Sequence, residues 1–405
     1  MPHLEADIGV IHGRLVEGVR IPFKQDLFFE TVILPGFSDT HAHPQVIDAG
    51  LSPSRIASWS NSYEWLETRR LVINEAMVRR DLGLSARLAE LALKRMALEG
   101  VTLAAFTGVL EANLKARLRV SPGPRLVLLP TLMDREGWSR PGEVSHLYEK
   151  YGNYLEDDYL RPGIFVHSLR MASRETFSGA VDLALRSRMP LGLHLSEGIS
   201  EARDFARAVE SYERLPRIVA VHCINDDPSR LGIRCSSCPA SNMLLYGRTR
   251  SSLRGVTSFG SDWPHLIGSM PRHLGLITRL YPASLSEIMF RATTGGYMDY
   301  GVSYHGDFVA YDTPLESVIE GGALPRMVSV GGEVVVEEGR LTLTGESLED
   351  IVGETVETVK YAVELYGDGL MPYIPGEEVV GDIAKGLNAD SSLTLVRELL
   401  RSKAA

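Results

Sequence analysis

Apolar and polar positions alternate in a regular order through the middle of the chain. Short apolar runs occur at 37–43, 101–109, 125–132, 163–168, 191–197, 218–223, 232–235 and 256–262. Most are separated by segments in which leucines recur at helical spacing, such as 80–98, 173–188 and 200–215. Strands that alternate with helices predict a parallel α/β sheet, and eight of them predict a closed (β/α)8 TIM barrel.

The two ends of this alternating region have a different pattern. Segments 8–17, 28–34, 305–312 and 327–341 show the alternation of exposed strands, interrupted by glycine turns. Neither end is long enough to close a core alone. We therefore predict that residues 1–35 and 305–345 combine into a small composite β-sandwich domain.

The rest of the chain is divided accordingly. Residues 36–304 form the predicted barrel, and residues 346–405 form a predicted C-terminal helical extension. Within that extension the apolar spacing predicts helices at 348–365 and 393–401.

Ionisable side chains appear where the apolar runs end. His41 and His43 end the first run, His167 the fourth, His194 and Glu197 the fifth, His222 the sixth and Asp262 the eighth. In a TIM barrel the C-terminal strand ends carry the active site. An extended chain also places His41 and His43 on one face, where both imidazoles can bind one metal ion. A lone histidine at a strand end is more often a capping or packing residue, but five strands that end this way predict a metal site.

Composition limits the classes of function. The 405 residues carry a formal net charge of -10, which argues against a nucleic-acid surface. No apolar run approaches the roughly 20 residues that span a bilayer, and the N-terminus does not have the pattern of a signal peptide. Three cysteines do not make a disulfide framework, and we interpret Cys235-Ser-Ser-Cys238 as a plain loop. A cytoplasmic location is expected.

The ordered motifs resemble those of the amidohydrolase superfamily. Pro35-Gly-Phe-Ser-Asp-Thr-His-Ala-His43 is similar to the "PGxxDxHxH" motif of that superfamily. Four further motifs narrow the resemblance to one branch of the superfamily: His194-Leu-Ser-Glu197, Val221-His-Cys223, Cys238-Pro-Ala-Ser-Asn242 and Phe259-Gly-Ser-Asp262. This branch contains cytosine, guanine and S-adenosylhomocysteine deaminases and triazine chlorohydrolases. The resemblance covers most of residues 1–345 and implies a metal-dependent hydrolase barrel.

The resemblance also implies residue roles. His41, His43, His194 and Asp262 would bind one divalent metal ion, zinc or iron in this branch, and both ions accept imidazole and carboxylate ligands. His222 would orient the attacking water or polarise the substrate. Glu197 would be the acid/base that moves a proton to the ring and the leaving group. Asp262 would both bind the metal and accept the proton of the water.

One absence separates subtypes of this superfamily. Binuclear members bridge two metals with a carbamylated lysine on a middle strand. This chain has no lysine between Lys150 and Lys360, which predicts a single metal ion.

Four further positions are candidate substrate contacts. His167 lies in a segment similar to a substrate-contacting motif of the branch, and His43-Pro-Gln45 resembles guanine deaminases. The usual Gly-Thr-Asp motif reads Gly-Ser-Asp262-Trp-Pro-His265 here. Gln45, Trp263 and His265 therefore join His167 in the candidate substrate set.

The resulting prediction is hydrolytic deamination of an amino-substituted nitrogen heterocycle: a purine, pyrimidine, pterin or triazine-like ring. Two alternatives use the same site with chloride or a ring-amide nitrogen as the leaving group. A non-catalytic scaffold is a third, but scaffolds of this fold tend to lose metal ligands. The expected partner is a small molecule, with no nucleic acid and no membrane, and a homodimer is compatible with the sequence.

Overall fold

The computed structural model describes residues 3–11, 14–22, 27–155 and 157–387. In chain order its strands are β1 (His3–Ile11), β2 (Arg14–Pro22), β3 (Leu27–Pro35), β4 (Phe37–Ala42), β5 (Val101–Gly108), β6 (Arg125–Leu132), β7 (Leu160–Pro162), β8 (Ile164–Val166), β9 (Leu191–Leu195), β10 (Ile218–His222), β11 (Arg234–Ser237), β12 (Ser258–Phe259), β13 (Phe308–Tyr311), β14 (Met327–Val330), β15 (Glu333–Glu337) and β16 (Arg340–Leu341).

The helices follow the barrel strands or lie outside them. They are α1 (Ser62–Thr68), α2 (Glu75–Arg80), α3 (Leu82–Leu98), α4 (Leu110–Arg119), α5 (Pro141–Lys150), α6 (Arg174–Ser187), α7 (Ala202–Val209), α8 (Pro239–Tyr246), α9 (Pro264–Ile267), α10 (Leu274–Leu280), α11 (Leu285–Ala292), α12 (Thr294–Tyr300), α13 (Leu315–Ile319), α14 (Leu348–Tyr366) and α15 (Glu377–Gly386). The predicted helix at 393–401 lies outside the described residues.

The predicted parallel barrel is confirmed. Its strands are hydrogen-bonded in the order β4-β5-β6-β8-β9-β10-β11-β12, with β7 as an extra partner of β6. A parallel bridge between Ala42 and Asp262 brings the last segment back to the first. Because all strands run in one direction, their C-terminal ends meet at one mouth.

Alternating side chains of the barrel strands pack in two different hydrophobic clusters, one inside the barrel and one outside it. Leu103 and Ala105 of β5 pack inside the barrel, in a cluster that includes Val127 and Phe165. Ala104 and Phe106 of the same strand face outward and pack in the cluster that includes Leu91, Leu93 and Leu98 of α3. Both faces are buried, which explains why these strands read as continuous apolar runs rather than as an alternating pattern.

The small β-domain is a single seven-stranded sheet that joins both ends of the chain. Its strand order is β16-β15-β14-β13-β3-β1-β2, so β3 pairs with β13 across more than 270 residues of sequence. Leu34 of β3 and Val309 of β13 are fully buried in the same cluster as the outer face of the barrel. The domain boundaries at 35, 304 and 345 stay a prediction.

Several predicted elements differ in length from those observed. The run at 256–262 forms only a two-residue strand, β12, although Gly260 N–H still donates to Ser237 O of β11 at 2.9 Å. The helical pattern at 200–215 gives the shorter helix α7. The run at 232–235 is shifted to β11, which includes Cys235. None of the helices in the described ranges combines the length and apolar character of a membrane-crossing segment.

Candidate active site

Three histidines converge at the mouth of the barrel. The Nε2 atom of His41 lies 3.0 Å from Nε2 of His43 and 3.1 Å from Nε2 of His194, and the last two are 3.4 Å apart. Asp262 Oδ1 lies 3.6 Å from His41 Nε2 and 3.4 Å from His43 Nε2. The strand ends of β4, β9 and β12 therefore bring together the four residues that the sequence suggested as ligands.

This donor set fits a divalent metal ion. The potential ligand atoms form two overlapping groups, His41–His43–His194 and His41–His222–Asp262, and within each group they lie within 4.8 Å of one another. Imidazole nitrogens and carboxylate oxygens are the ligands that zinc and similar ions accept. Burial lowers the pKa of His41, His43 and His194, so the rings are neutral, which is the form that binds metal. Burial alone would raise the pKa of Asp262, but His41, His222 and His43 outweigh it and keep the carboxyl ionised.

The backbone around these residues is held by buried hydrogen bonds. Asp262 N–H donates to His41 O at 2.8 Å, and His43 N–H donates to Asp262 O at 2.7 Å. The buried carboxylate of Asp39 accepts from Ser261 N–H at 2.9 Å and from Met270 N–H at 3.0 Å. These contacts place Asp262 beside β4, although β12 itself is too short to do so.

Positive φ angles cluster at the same mouth. Ser196, His222, Cys223 and Asp262 all have φ between 49° and 70°, in the left-handed region that non-glycine residues seldom adopt. Such conformations persist only where the surrounding structure enforces them, and they concentrate at functional sites. Here they turn the chain directly after β9 and β10 and aim His222 and Asp262 into the mouth.

Glu197 lies beside the metal-binding cluster without belonging to it. It follows β9 by two residues, and its Oε1 accepts a hydrogen bond from the hydroxyl of Tyr246 at 2.6 Å. His222 Nε2 lies 3.6 Å from the same oxygen. Burial raises the pKa of Glu197, opposed by His222 and by the Tyr246 hydroxyl. A buried carboxyl with a raised pKa can carry a proton, as a general acid requires.

Asn242 fixes the orientation of His222. Its Oδ1 lies 2.9 Å from His222 Nδ1, and its Nδ2 donates to Thr249 Oγ1 at 3.1 Å. Because an amide oxygen can only accept, Nδ1 carries a hydrogen in this contact, and Nε2 is the ring nitrogen that faces Glu197. In the sequence, Asn242 stood out only as the last residue of the Cys238-Pro-Ala-Ser-Asn242 motif.

A cavity of about 250 Å³ opens above this cluster. Its floor is formed by His43, His167, His194, His222 and Asp262, with Glu197 at the side. Its walls are apolar or aromatic, and its rim is charged; the wall and rim residues include Trp65, Leu66, Met133, Trp138, Trp263, Arg69, Glu75, Arg79, Arg135 and Glu136. The ring centroids of Trp65 and Trp263 are 5.7 Å apart.

Two of the four candidate substrate contacts line this cavity and two do not. His167 and Trp263 line it. The Gln45 side chain instead donates from Nε2 to Asn113 Oδ1 at 2.7 Å, towards α4. His265 is buried against α3, where its Nε2 lies 3.0 Å from Leu88 O. Both are near ligands in sequence, but neither side chain lines the cavity.

Sequence reasoning missed several residues of the site. Tyr246 ends α8, and its contact with Glu197 depends on how that helix packs above the barrel. Thr107 Oγ1 lies 2.8 Å from His43 Nδ1 and orients that ring. Thr107 did carry a signal, since it is a polar residue at the C-terminal end of a strand.

The cysteines differ from the sequence interpretation. The structure pairs Cys223, directly after β10, with Cys235 on β11, and Cys238 is free and buried. Adjacent parallel strands bring the two Cα atoms to 6.5 Å, a separation that a disulfide spans. The interpretation of 235–238 as a plain loop is therefore wrong, because Cys235 lies in a strand and Cys238 precedes α8.

Comparisons with known proteins agree with this geometry. No family model matches the chain. A segment is 24% identical to a 5-methylthioadenosine/S-adenosylhomocysteine deaminase of Thermodesulfovibrio yellowstonii, over 53% of this chain and 52% of that protein. The second relative is a 5'-deoxyadenosine deaminase of Methanothrix thermoacetophila, which is 30% identical over 30% of this chain and 32% of that protein. The match thus spans about half of the first relative and a third of the second.

Solved structures share nearly the whole fold. A zinc-bound adenosine deaminase of Xanthomonas campestris has a TM-score of 0.66 at 15% identity, over 89% of this chain and 98% of that one. A zinc complex of the atrazine chlorohydrolase of Arthrobacter aurescens has a TM-score of 0.67 at 17% identity, over 88% and 100%. The chain has the fold of the metal-dependent hydrolase barrels. More specifically, the resemblance to the deaminase and chlorohydrolase branch of the amidohydrolase superfamily is confirmed.

Proposed function

We propose that this protein hydrolytically deaminates an amino-substituted nitrogen heterocycle. The observation that carries the proposal is the juxtaposition of Glu197, a buried carboxyl with a raised pKa, with a three-histidine and aspartate cluster at the floor of one cavity. The named activities of the two sequence relatives support the reaction class.

The proposed ligands of a single metal ion are His41, His43, His194 and Asp262. Zinc is the expected ion, because both structural relatives described above contain it. A divalent ion held by these four residues would lower the pKa of water and would so supply the nucleophile. The contact from Thr107 to His43 Nδ1 directs the Nε2 lone pair of that ring inward.

Glu197 is the proposed proton carrier. Its Oε1 is occupied by the Tyr246 hydroxyl, so the transferable proton resides on Oε2. Protonation of the ring nitrogen makes the carbon that bears the amino group more electrophilic. Asp262 would accept the proton that the attacking water loses, and delivery of this proton to the amino nitrogen would let ammonia leave. His222, with Nδ1 held by Asn242, offers Nε2 to the attacking water or to the substrate.

The walls support a flat substrate. Trp65 and Trp263, whose ring centroids lie 5.7 Å apart, line the cavity together with Trp138. A planar heterocycle can stack on aromatic side chains of this kind. Bulk water is displaced when the ring enters, which strengthens the electrostatic contacts at the floor.

Chloride or a ring-amide nitrogen as leaving group would use the same residues, and the same screen separates these reactions. Purified protein should be assayed for bound metal and for release of ammonia or chloride across amino-substituted purines, pyrimidines, pterins and triazines. We expect about one zinc per chain and ammonia release from at least one ring class. Two tightly bound ions per chain would contradict the mononuclear site, and chloride release alone would contradict deamination. The cytoplasmic location and the homodimer stay predictions.

A further inference from the structure

The rim of the cavity has more positive charge than its own carboxylates neutralise. Arg69 and Arg79 share one partner, Glu75, at 2.6 and 2.8 Å. Glu136 is engaged by Arg80, at 2.7 Å, which does not line the cavity. Arg135 lines the cavity and is exposed, and no residue in the described ranges forms a hydrogen bond or an ion pair with its guanidinium. This local excess is opposite in sign to the net charge of -10 for the whole chain.

Ring contacts connect the rim to the metal-binding cluster. The ring centroid of Trp138 lies 6.4 Å from that of His167, and the centroid of His167 lies 5.0 Å from that of His194. A negatively charged group at the rim would meet uncompensated positive potential there.

Two of the arginines are also held in place. The guanidinium of Arg69 lies 4.6 Å from the ring centroid of Trp65, and that of Arg79 lies 4.0 Å from the centroid of Trp138. Stacking against tryptophan covers a face of each guanidinium and limits its motion. The wall tryptophans and the rim charge thus form one continuous surface. Arg135, three residues before Trp138, is the arginine left free to bind a ligand.

We propose that the substrate carries an anionic substituent, a carboxylate or a phosphate, and that Arg135 binds this group at the rim. The heterocycle then stacks along the tryptophans with its reacting carbon at the floor. A neutral ring would leave the rim charge without a counterpart. The inference rests on the proposed function, because only that function places the reacting end of the molecule at the metal-binding cluster.

The test uses pairs of heterocycles that differ in the anion. Pterin and pterin-6-carboxylate report on a carboxylate, and adenosine and adenosine 5'-monophosphate report on a phosphate. Affinity is measured by calorimetry on the metal-containing protein, and ammonia release is measured in parallel. A hydrogen bond between charged groups changes affinity by about tenfold to a hundredfold. We expect the anionic member of at least one pair to bind more tightly by about that factor, with the advantage shrinking at high salt.

Two variants assign the effect to Arg135. Arg135→Gln should bring the ratio of the affinities for the anionic and the neutral member of the pair close to one. Arg119→Gln changes an exposed arginine of α4 that is paired with Glu90 outside the cavity, and it should keep the preference. The pair that responds to Arg135→Gln distinguishes a carboxylate substrate from a phosphate substrate.

The outcomes separate this inference from the proposed function. Equal affinity for both members of both pairs, or a preference that survives Arg135→Gln, would overturn the anion assignment even if ammonia is released. A preference lost in Arg135→Gln without ammonia release from any ring would support the anion site and contradict the deaminase proposal.

Discussion

Tyr246 donates a 2.6 Å hydrogen bond to Oε1 of Glu197, and both side chains are buried. The hydroxyl belongs to the last residue of α8, whereas the carboxyl lies in the turn after β9. This bond holds one oxygen of Glu197 and stabilises its charged form. It therefore acts against burial, which favours the protonated form.

Tyr246→Phe should shift the pH dependence of turnover. Without the hydroxyl, the pKa of Glu197 rises further, so the carboxyl keeps its proton to a higher pH. If Glu197 is the acid, turnover falls as pH rises through its pKa, and this alkaline limb should move to higher pH in the variant. Metal content should not change. Tyr148→Phe, which loses a buried hydroxyl contact with Gly163 O outside the site, is the matched control and should leave the limb in place. An unmoved limb in Tyr246→Phe would contradict the role of Glu197.

Glu197→Gln and His41→Ala should separate proton transfer from metal binding. Glu197 is not part of either candidate ligand group, so the amide variant should retain its metal while turnover falls by ~10²–10⁴-fold. His41→Ala removes an imidazole of the cluster and should lose metal and activity together. Elemental analysis and turnover on the same preparations check both results. Metal loss in Glu197→Gln would mean that Glu197 is itself a ligand.

Asn242→Ala should release His222 from its fixed orientation. The ring loses the acceptor for Nδ1–H, so both tautomers and other ring angles become accessible. We expect kcat to fall while KM and metal content change little. Ser241→Ala is the neighbouring control, since its hydroxyl donates to Cys238 O and does not touch His222. Equal kinetics in the two variants would show that Asn242 has only a structural role.

Leu34→Ala should destabilise the whole chain rather than the small sheet alone. Leu34 lies in β3 but is fully buried in the cluster that covers the outer face of the barrel. Removing this side chain should lower the free energy of unfolding by ~2–5 kcal/mol. Leu343→Ala changes an exposed leucine of the same region and should cost less than about 0.5 kcal/mol. For the same reason residues 36–304 alone should not fold cooperatively, and a single sharp unfolding transition of that fragment would contradict this view.

The strand-end pattern predicted the barrel and the convergence of His41, His43, His194 and Asp262, because both follow from short-range periodicity and parallel topology. Gln45 was selected because His43-Pro-Gln45 resembles guanine deaminases, and His265 was selected because it lies close to Asp262 in sequence. Their side chains contact Asn113 and Leu88 instead, since direction depends on the packing of α3 and α4.

Other parts of the site depend on long-range geometry and left little trace in the sequence. Tyr246 reaches Glu197 only through the placement of α8, and Arg69 and Arg79 reach the cavity through α1, α2 and the segment between them. The disulfide follows from the pairing of β10 with β11, and the shifted position of β11 was not apparent from its short apolar run.

The joint between β4 and the segment after β12 consists of the residues proposed to bind metal. His41 and His43 exchange backbone hydrogen bonds with Asp262, while β12 contributes only two residues of strand. An insertion or deletion near Gly260 would open the cylinder and displace a ligand in the same event. Changes in the length of this segment are therefore limited both by the closure of the barrel and by the position of the proposed ligand Asp262. His194 is the better position at which to alter the metal preference. Its strand β9 is hydrogen-bonded to β8 on one side and to β10 on the other, so the closure of the barrel does not depend on this residue.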